Sequence, residues 1–429
     1  MGVGLGGADS SVHHQGGARV NVTWEGQPLP AQPGQSLAAA LWAAGVANLG
    51  GRDEAPRGLY CGVGHCASCR VVVAGTHGVR ACLVRLRDGL RAGREPEGTG
   101  AGVPAAFSPA TTGQANVAVV GAGPAGLAAA AALVEAGATV DVFDETPAPL
   151  ANAPRTAARI HHGASVWGIF PGWRVFAAPT DPELPPPPAE TAADALILAT
   201  GAVQLPLALP GWTLPGVVTP WGALHLLDHG ALRLGARVVI VGSDPTAQAV
   251  ANRLRDGGAE IAALLPPQPS AWVAPASGDG PFATGFLGTA ALEAVATSAG
   301  AEVPADLAVV GAGLAPLCDA VQLAGGAIAF IPELGGHVAV HGPRLQSTED
   351  RLFVAGDLAG LTTPAVAAAQ GHLAGLTCAA SLGLLTGDQA EARLREAEAS
   401  LTAALRTETR SGAASGRAQM VRLWAARPQ

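Results

Sequence analysis

The residues best equipped for chemistry in this 429-residue chain are four cysteines in LYCGVGHCASCRVVVAGTHGVRAC. Cys61 is followed by Cys66 after four intervening residues, Cys69 after two more, and Cys82 after a further twelve. This is the plant-type spacing for a [2Fe–2S] cluster, with three thiolates from one tight loop and the fourth from a neighbouring strand. Gly62 and Gly64 suit such a loop, because residues without a Cβ let a short segment wrap a cluster and aim its N–H groups at sulfur. A structural zinc site and four unrelated buried cysteines are the competing readings. Zinc favours paired Cys-x2–4-Cys units, and only one end supplies such a pair. His65 fits no Rieske pattern and reads as an exposed loop histidine. Cys318 and Cys378, in apolar surroundings, read as small core residues.

The second constellation is NVAVVGAGPAGLAAAAALVEAGATVDVFDE. It reads as a strand, the loop Gly121-Ala122-Gly123-Pro124-Ala125-Gly126, an alanine-rich helix, and a strand ending at Asp144-Glu145. Gly121 makes the turn, Gly123 admits a pyrophosphate, Gly126 permits close helix packing, and the helix N-terminus attracts the phosphates. Asp144, with Glu145 beside it, stands where a carboxylate accepts from ribose hydroxyls. A later segment, ARVVIVGSDPTAQAVANRLRDGGAEIAALL, breaks this fingerprint. Asp244 replaces the middle glycine and brings bulk and negative charge to the pyrophosphate position, and no acid closes the next strand near Leu264. These features argue against NAD(P).

FAD and NAD share the first motif, and two later segments choose between them. STEDRLFVAGDLAG resembles the second FAD signature of the two-dinucleotide-domain flavoproteins, in which an Asp holds the flavin-side ribityl or phosphate; here it is Asp357, after Ala355-Gly356. DALILATGA, with Thr200 and Gly201, resembles the ATG motif of the same superfamily. Three motifs in this order imply FAD. Gly311 and Gly313, with Pro316 at the third position, then read as a loop near the flavin without a ligand of its own.

Residues 18–385 together resemble the ferredoxin-like and FAD-binding regions of heterotetrameric sarcosine oxidase alpha chains, opine oxidase A subunits and hydrogen cyanide synthase. These lie within the FAD-dependent pyridine nucleotide-disulfide oxidoreductase superfamily. The cysteine loop with VRAC and RDGL carries the resemblance, as does LATGAVQLPLALPGWTLPGVVT with its PGW-x-LPGV core. The resemblance implies an electron-transfer subunit of an amine or amino-acid (opine, glycine or sarcosine-like) dehydrogenase complex. Its partner would be a separate amine-oxidising flavoprotein subunit, and the complex would handle a small amine or amino acid. The chain departs from the pattern between Asp144 and Ala199, where the segment is short and DETPAPLANAPR lacks the usual Gly-Gly-Gln stretch. It also lacks an aminomethyltransferase-like region, which argues against a self-contained sarcosine oxidase.

Composition excludes other classes. All 25 basic residues are arginine, so there is neither a Schiff-base lysine nor a Walker A lysine. A formal charge of −8 leaves no basic surplus for nucleic acid. Six cysteines are too few for a disulfide scaffold. The start MGVGLGGADSSVHHQGG has no charged n-region, no apolar h-region and no Ser or Thr at the myristoylation position, so the expected location is cytoplasmic, with membrane association only through a partner. Val117–Val134 is uncharged, but three glycines and a proline make it a strand, turn and helix, and no transmembrane segment is expected.

These residues need an α/β scaffold: an N-terminal β-grasp ferredoxin-like domain and a two-dinucleotide-binding-domain, Rossmann-like, doubly wound FAD flavoprotein. Val20, Val22 and Trp24 alternate before Glu25-Gly26, and Ser36 precedes LAAALWAAG, which predicts a hairpin and then a capped helix. NVAVV, TVDVF, DALILA, RVVIV, DLAVV and RLFVAGD are strand-like, alternating with helical or irregular segments. The expected organisation is a disordered tail (1–17), the [2Fe–2S] domain (18–93), a linker (94–114) and a first FAD-binding segment (115–202). An inserted degenerate NAD-binding-like domain (203–304), a second FAD-binding segment (305–388) and a C-terminal helix and tail (389–429) follow. PTDPELPPPP at 179–188 reads as an exposed loop. No residue carries a motif that assigns it a catalytic role. His161-His162 and His225/His229 read as surface or helix-end residues, the latter pair with i, i+4 spacing but no third metal ligand. Two further functions fit less of the sequence: a self-sufficient NAD(P)H-dependent FAD reductase feeding its own cluster, and a redox sensor or scaffold with a decayed flavin site.

Overall fold

The computed structural model describes residues 20–52, 55–96, 112–147, 156–242, 245–266 and 280–427. The predicted tail, most of the predicted linker and Asp244 lie outside the described residues. The chain divides into two compact units, one built from Met1–Phe107, Thr180–Glu183 and Gln204–Gly313, the other from Ser108–Pro179, Leu184–Val203 and Leu314–Gln429.

In the first unit, Val22–Trp24 and Gln27–Leu29 form the predicted antiparallel hairpin. Glu25 and Gly26 turn it with φ of 51° and 78°, the left-handed pair that a two-residue hairpin turn needs. Val22–Trp24 also pairs in parallel with Arg91–Gly93, which Arg70–Val73 and Thr76–Arg80 extend into a five-stranded sheet. A parallel pair needs a crossover, and the helix Leu37–Ala43 lies in it. Ser36 caps this helix, its Oγ accepting from the Ala39 N–H at 3.1 Å, and Leu37 to Leu41 are buried.

A second sheet of the same unit is parallel, in the order Val217–Val218, Leu307–Val310, Arg237–Val241 and Glu260–Leu265. Leu307–Val310 therefore belongs to this sheet, and residues 305–313 to this unit, whereas the sequence reading begins the second FAD segment at 305. Their run LAVV is buried throughout, as a strand covered on both faces requires, and gives no sign of which parallel sheet it enters. One apolar core joins the two sheets, packing Leu37, Leu41, Val71 and Val84 with Val238, Ile240, Leu254 and Leu307. The proline-rich loop is buried where it begins: Asp181 accepts from Arg87 Nη1 at 2.6 Å and Nη2 at 2.9 Å. A bidentate arginine holds that carboxylate inside, where composition alone predicted exposure.

In the second unit, Arg159–His162, Val140–Asp144, Thr112–Val120, Glu190–Leu198 and Leu352–Val354 pair in parallel. An antiparallel meander, Ala164–Phe170 and Arg174–Pro179, joins Glu190–Leu198. The helices Pro124–Glu135 and Pro364–Ser381 approach backbone to backbone: a Cβ on Gly371 would stand 1.9 Å from the Ala125 carbonyl oxygen. At the C-terminus, Gly387–Leu405 is the predicted helix, but the expected polar tail contains a second helix, Ala413–Ala425. Its Met420 is buried with Leu334, Val338 and Val340, and Glu408 is buried between Arg410 and Arg417. The helix thus rests on tertiary contacts that a weakly periodic sequence does not announce. Among the described residues no helix is long and apolar enough to cross a membrane.

Asp141, 1% exposed, takes Arg159 Nη2 at 2.6 Å and His161 Nε2 at 2.8 Å. Burial alone would raise its pKa, but the hydrogen bonds and charge of Arg159 and His161 outweigh it and hold the carboxyl at about 2. His161 is therefore a partner of a buried acid and not the surface residue its sequence suggests. A depressed carboxyl contributes stability that is present above its unfolded pKa and lost as pH falls through about 2. Urea unfolding should show Asp141→Asn losing less stability than the parent between about pH 5 and pH 2, by roughly 2 kcal/mol. Identical pH slopes would contradict this.

Candidate functional site

The four cysteines lie in the first unit, and the fold brings them together as two pairs. Cys61 and Cys66 contact through their thiols, and so do Cys69 and Cys82. Cys61, Cys69 and Cys82 are buried and Cys66 is partly so. The loop wraps in the way its glycines suggest: Gly62 and Gly64 have φ of 70° and 83°, and Ala67 joins them at 52°. Backbone N–H groups point at sulfur, from Cys66 to Cys61 Sγ and from Ser68 to Cys66 Sγ, both at 3.4 Å. The Cys66 thiol and the N–H groups of Cys66, Val63 and His65 outweigh burial and bring the Cys61 thiol down to about 6. The Cys82 thiol lowers Cys69 in the same way, and nearby Arg80 adds to it. Cys66 and Cys82, each donating to its partner and buried, are pushed up. Among the described residues no three His, Cys, Asp or Glu side chains converge on a single-ion site. The two-plus-two disposition is the one a two-iron cluster asks for, and the donors that meet the sulfurs suit its negative charge.

The dinucleotide residues lie in the second unit, at one edge of its sheet. Val120, Phe143, Leu198 and Val354 stand in register, so the segments that follow them emerge side by side at the carboxyl ends of parallel strands. That is where open α/β sheets bind ligands. Gly121, φ 104°, has no room for a Cβ, which would stand 2.3 Å from the Ala199 carbonyl oxygen beside Thr200. Gly126 is tighter still, with its Cβ position 1.8 Å from the Gly121 oxygen. Gly123 differs: its φ is −71° and, among the described residues, nothing lies within 4 Å of the Cβ position. It is the N-cap of Pro124–Glu135, and among the described residues no side chain caps the first turn, so its N–H groups are open to a ligand.

The carboxylates converge on the same edge. Asp144 accepts from Ala122 N at 2.6 Å and from Thr146 N at 2.7 Å, and Glu145 accepts from the Ser165 hydroxyl. Thr200 donates to the Leu317 carbonyl at 2.8 Å, and Gly201 turns with φ 73°. Gly356, φ 75°, lies against Ala125, and Asp357 accepts from Thr362 N at 2.9 Å. Burial raises the Asp357 pKa, opposed by the Thr362 N–H.

Three residues of this region carry no signal in the sequence. Gln370, buried in the helix Pro364–Ser381, holds the Gly356 N–H at 2.9 Å. Arg410 and Glu408, from the segment read as a polar tail, come within electrostatic reach of Asp357. In the first unit, His225 and His229 are not simple helix-end residues: His225 Nε2 meets Ser36 Oγ at 2.6 Å, and His229 Nε2 accepts from Arg85 at 2.9 Å. Gly311, expected near the flavin, bonds Val241 and lies beside Gly242 in the second parallel sheet. Cys318 and Cys378 are buried core residues, and burial pushes their thiols up to about 11 and about 12.

Residues 17–97 match the 2Fe-2S iron-sulfur cluster binding domain, and residues 119–174 match the NAD(P)-binding Rossmann-like domain. The chain is 33% identical over 173 residues to the opine oxidase A subunit of Agrobacterium tumefaciens, covering 33% of this chain and 34% of that one. It is 33% identical over 75 residues to hydrogen cyanide synthase subunit HcnA of Pseudomonas aeruginosa, covering 17% of this chain and 72% of that one. Both are named as subunits. The fold is similar to that of L-proline dehydrogenase from P. horikoshii, with a TM-score of 0.68 at 21% identity over 89% of this chain and 78% of that one. The match thus spans about a third of the length of the Agrobacterium relative.

Proposed function

We propose that this chain, which belongs with HcnA to the family built on the 2Fe-2S iron-sulfur cluster binding domain, also binds FAD and serves as an electron-transfer subunit of an amine or amino-acid dehydrogenase. The observation that carries the reading is one chain holding both a paired four-cysteine loop and a strand-edge dinucleotide cradle. Cys61 and Cys66 would hold one iron and Cys69 and Cys82 the other. Gly123 and the uncapped helix end behind it would take the pyrophosphate, Asp144 the ribose hydroxyls, and Asp357 the flavin side. A bound flavin takes electrons in pairs and a [2Fe–2S] centre passes them singly, so the two together suit the splitting of a hydride equivalent.

The protein's own contribution is to hold and tune. Gln370 fixes the Gly356 turn, and Thr362 and Arg410 favour the ionised form of Asp357, the form that accepts hydrogen bonds. No side chain here is assigned the abstraction of a substrate proton. That step and the choice of substrate fall to the partner, a separate amine-oxidising flavoprotein. The domain plan read from the sequence remains our proposal, with the start of its second FAD-binding segment moved from 305 to the residues after Gly313.

The alternative reductase reading draws on the second parallel sheet, where Arg237–Val241 still leads through Gly242 into the helix Pro245–Asp256. An anaerobic spectrum with iron, sulfide and flavin quantified, repeated after NADH or NADPH, decides between them. The expected result is about one flavin and two irons per chain, bleached by dithionite and not by nicotinamide. Fast, saturable bleaching by NADH or NADPH would replace this reading with the reductase. A cluster without flavin would favour the sensor or scaffold.

A further inference from the structure

Helix Pro220–Asp228 belongs to the second parallel sheet of the first unit, yet its first turn is spent on the cysteine loop. Thr219, its N-cap, donates its N–H to the Tyr60 carbonyl at 3.0 Å, one residue before Cys61. The helix comes so close at Gly222 that a Cβ there would stand 2.1 Å from the same carbonyl oxygen. On the other side of Cys61, a Cβ on Gly62 would meet His225 Cβ at 2.8 Å and Gly222 Cα at 3.0 Å. The Tyr60 ring packs edge-on against Trp212 at 5.7 Å, and Cys61 shares an apolar core with Val239, Val241 and Val310 of the sheet. His225 also ties the helix to the Ser36 cap of Leu37–Ala43.

We propose that Gly222 is a positioning residue for the cluster, and that the second nucleotide-type sheet with its helix Pro220–Asp228 acts as the bed that fixes the Cys61 arm. The proposal rests on the reading of the four cysteines as [2Fe–2S] ligands. It gives the second sheet a task that needs no nicotinamide, in keeping with a glycine loop whose middle position is Asp244. The bed works because backbone meets backbone: Tyr60 O cannot yield to a Cβ on Gly222 without moving Cys61.

The test compares the full-length parent, Gly222→Ala and His225→Ala by iron and sulfide content, by the EPR spectrum of the dithionite-reduced protein and by the cluster's midpoint potential. Gly222→Ala is expected to hold cluster about tenfold less well, as loss of support around metal ligands does elsewhere. The cluster that remains should show changed g-values and a shifted potential, while flavin content in the other unit stays at the parent level. Parental iron content, g-values and potential in Gly222→Ala would overturn the proposal alone. A parent chain without cluster would overturn the ligand reading and this proposal with it. If Gly222→Ala does not accumulate, His225→Ala decides: altered g-values with iron retained support the bed, and an unchanged spectrum overturns it.

Discussion

Serine in place of Cys82 is expected to leave the purified chain nearly colourless in the iron–sulfur region, with bound iron reduced about tenfold or more. Cys82 is 3% exposed and reaches the site from beyond the strand pair Arg70–Val73 and Thr76–Arg80, so no solvent or neighbouring thiol can take its place. A serine hydroxyl is a harder and far less acidic ligand than a thiolate, and iron–sulfur centres select soft sulfur donors. The change is nearly isosteric, so far-ultraviolet circular dichroism should stay at the parent level. Cys318→Ser is the control, since Cys318 donates to the His337 carbonyl outside the loop. Iron retained by Cys82→Ser would show that the four thiols do not act as one set.

Gly123→Val is expected to cut flavin content about tenfold or more while the chain without flavin melts within about 2 °C of the parent. The separation follows from geometry. A side chain at Gly123 meets none of the described residues within 4 Å and its φ of −71° suits any residue, so the described part of the chain offers it no clash. The volume it fills is the one a pyrophosphate needs to approach the helix end. Gly126→Ala makes the contrast, because its Cβ would fall 1.8 Å from the Gly121 oxygen and must disrupt the loop itself. That variant should lose flavin and thermal stability together. Parental flavin content in Gly123→Val, measured by release and absorbance, would remove the pyrophosphate from this loop.

The cysteine spacing and the glycine loop were legible because their chemistry is local. Sulfurs that must meet around one cluster need fixed short intervals, and a phosphate turn needs glycine at fixed positions, so both leave a record along the chain. The Ser36 cap, the Glu25-Gly26 turn and the parallel strands were legible for the same reason: each depends on neighbours in sequence or on the apolar run of a strand buried on both faces. Asp181, His161, His225 and Arg410 read as surface residues. Polar side chains give no sign of burial until a distant partner is in place, here Arg87, Asp141, Ser36 and, for Arg410, the carboxylate of Asp357.

By itself the sequence determined which candidate groups and loops are present: four thiols at cluster spacing, a glycine turn of the dinucleotide type and a later acid after Ala355-Gly356. Only the tertiary structure decided that the thiols stand in two pairs, that Gly121, Asp144, Thr200 and Asp357 share one sheet edge, and that Leu307–Val310 belongs to the sheet behind the cysteine loop. The reason is physical. Covalent order fixes spacing within a turn or a strand, whereas pairing across a sheet and the approach of one backbone to another depend on burial shared by segments far apart in the chain.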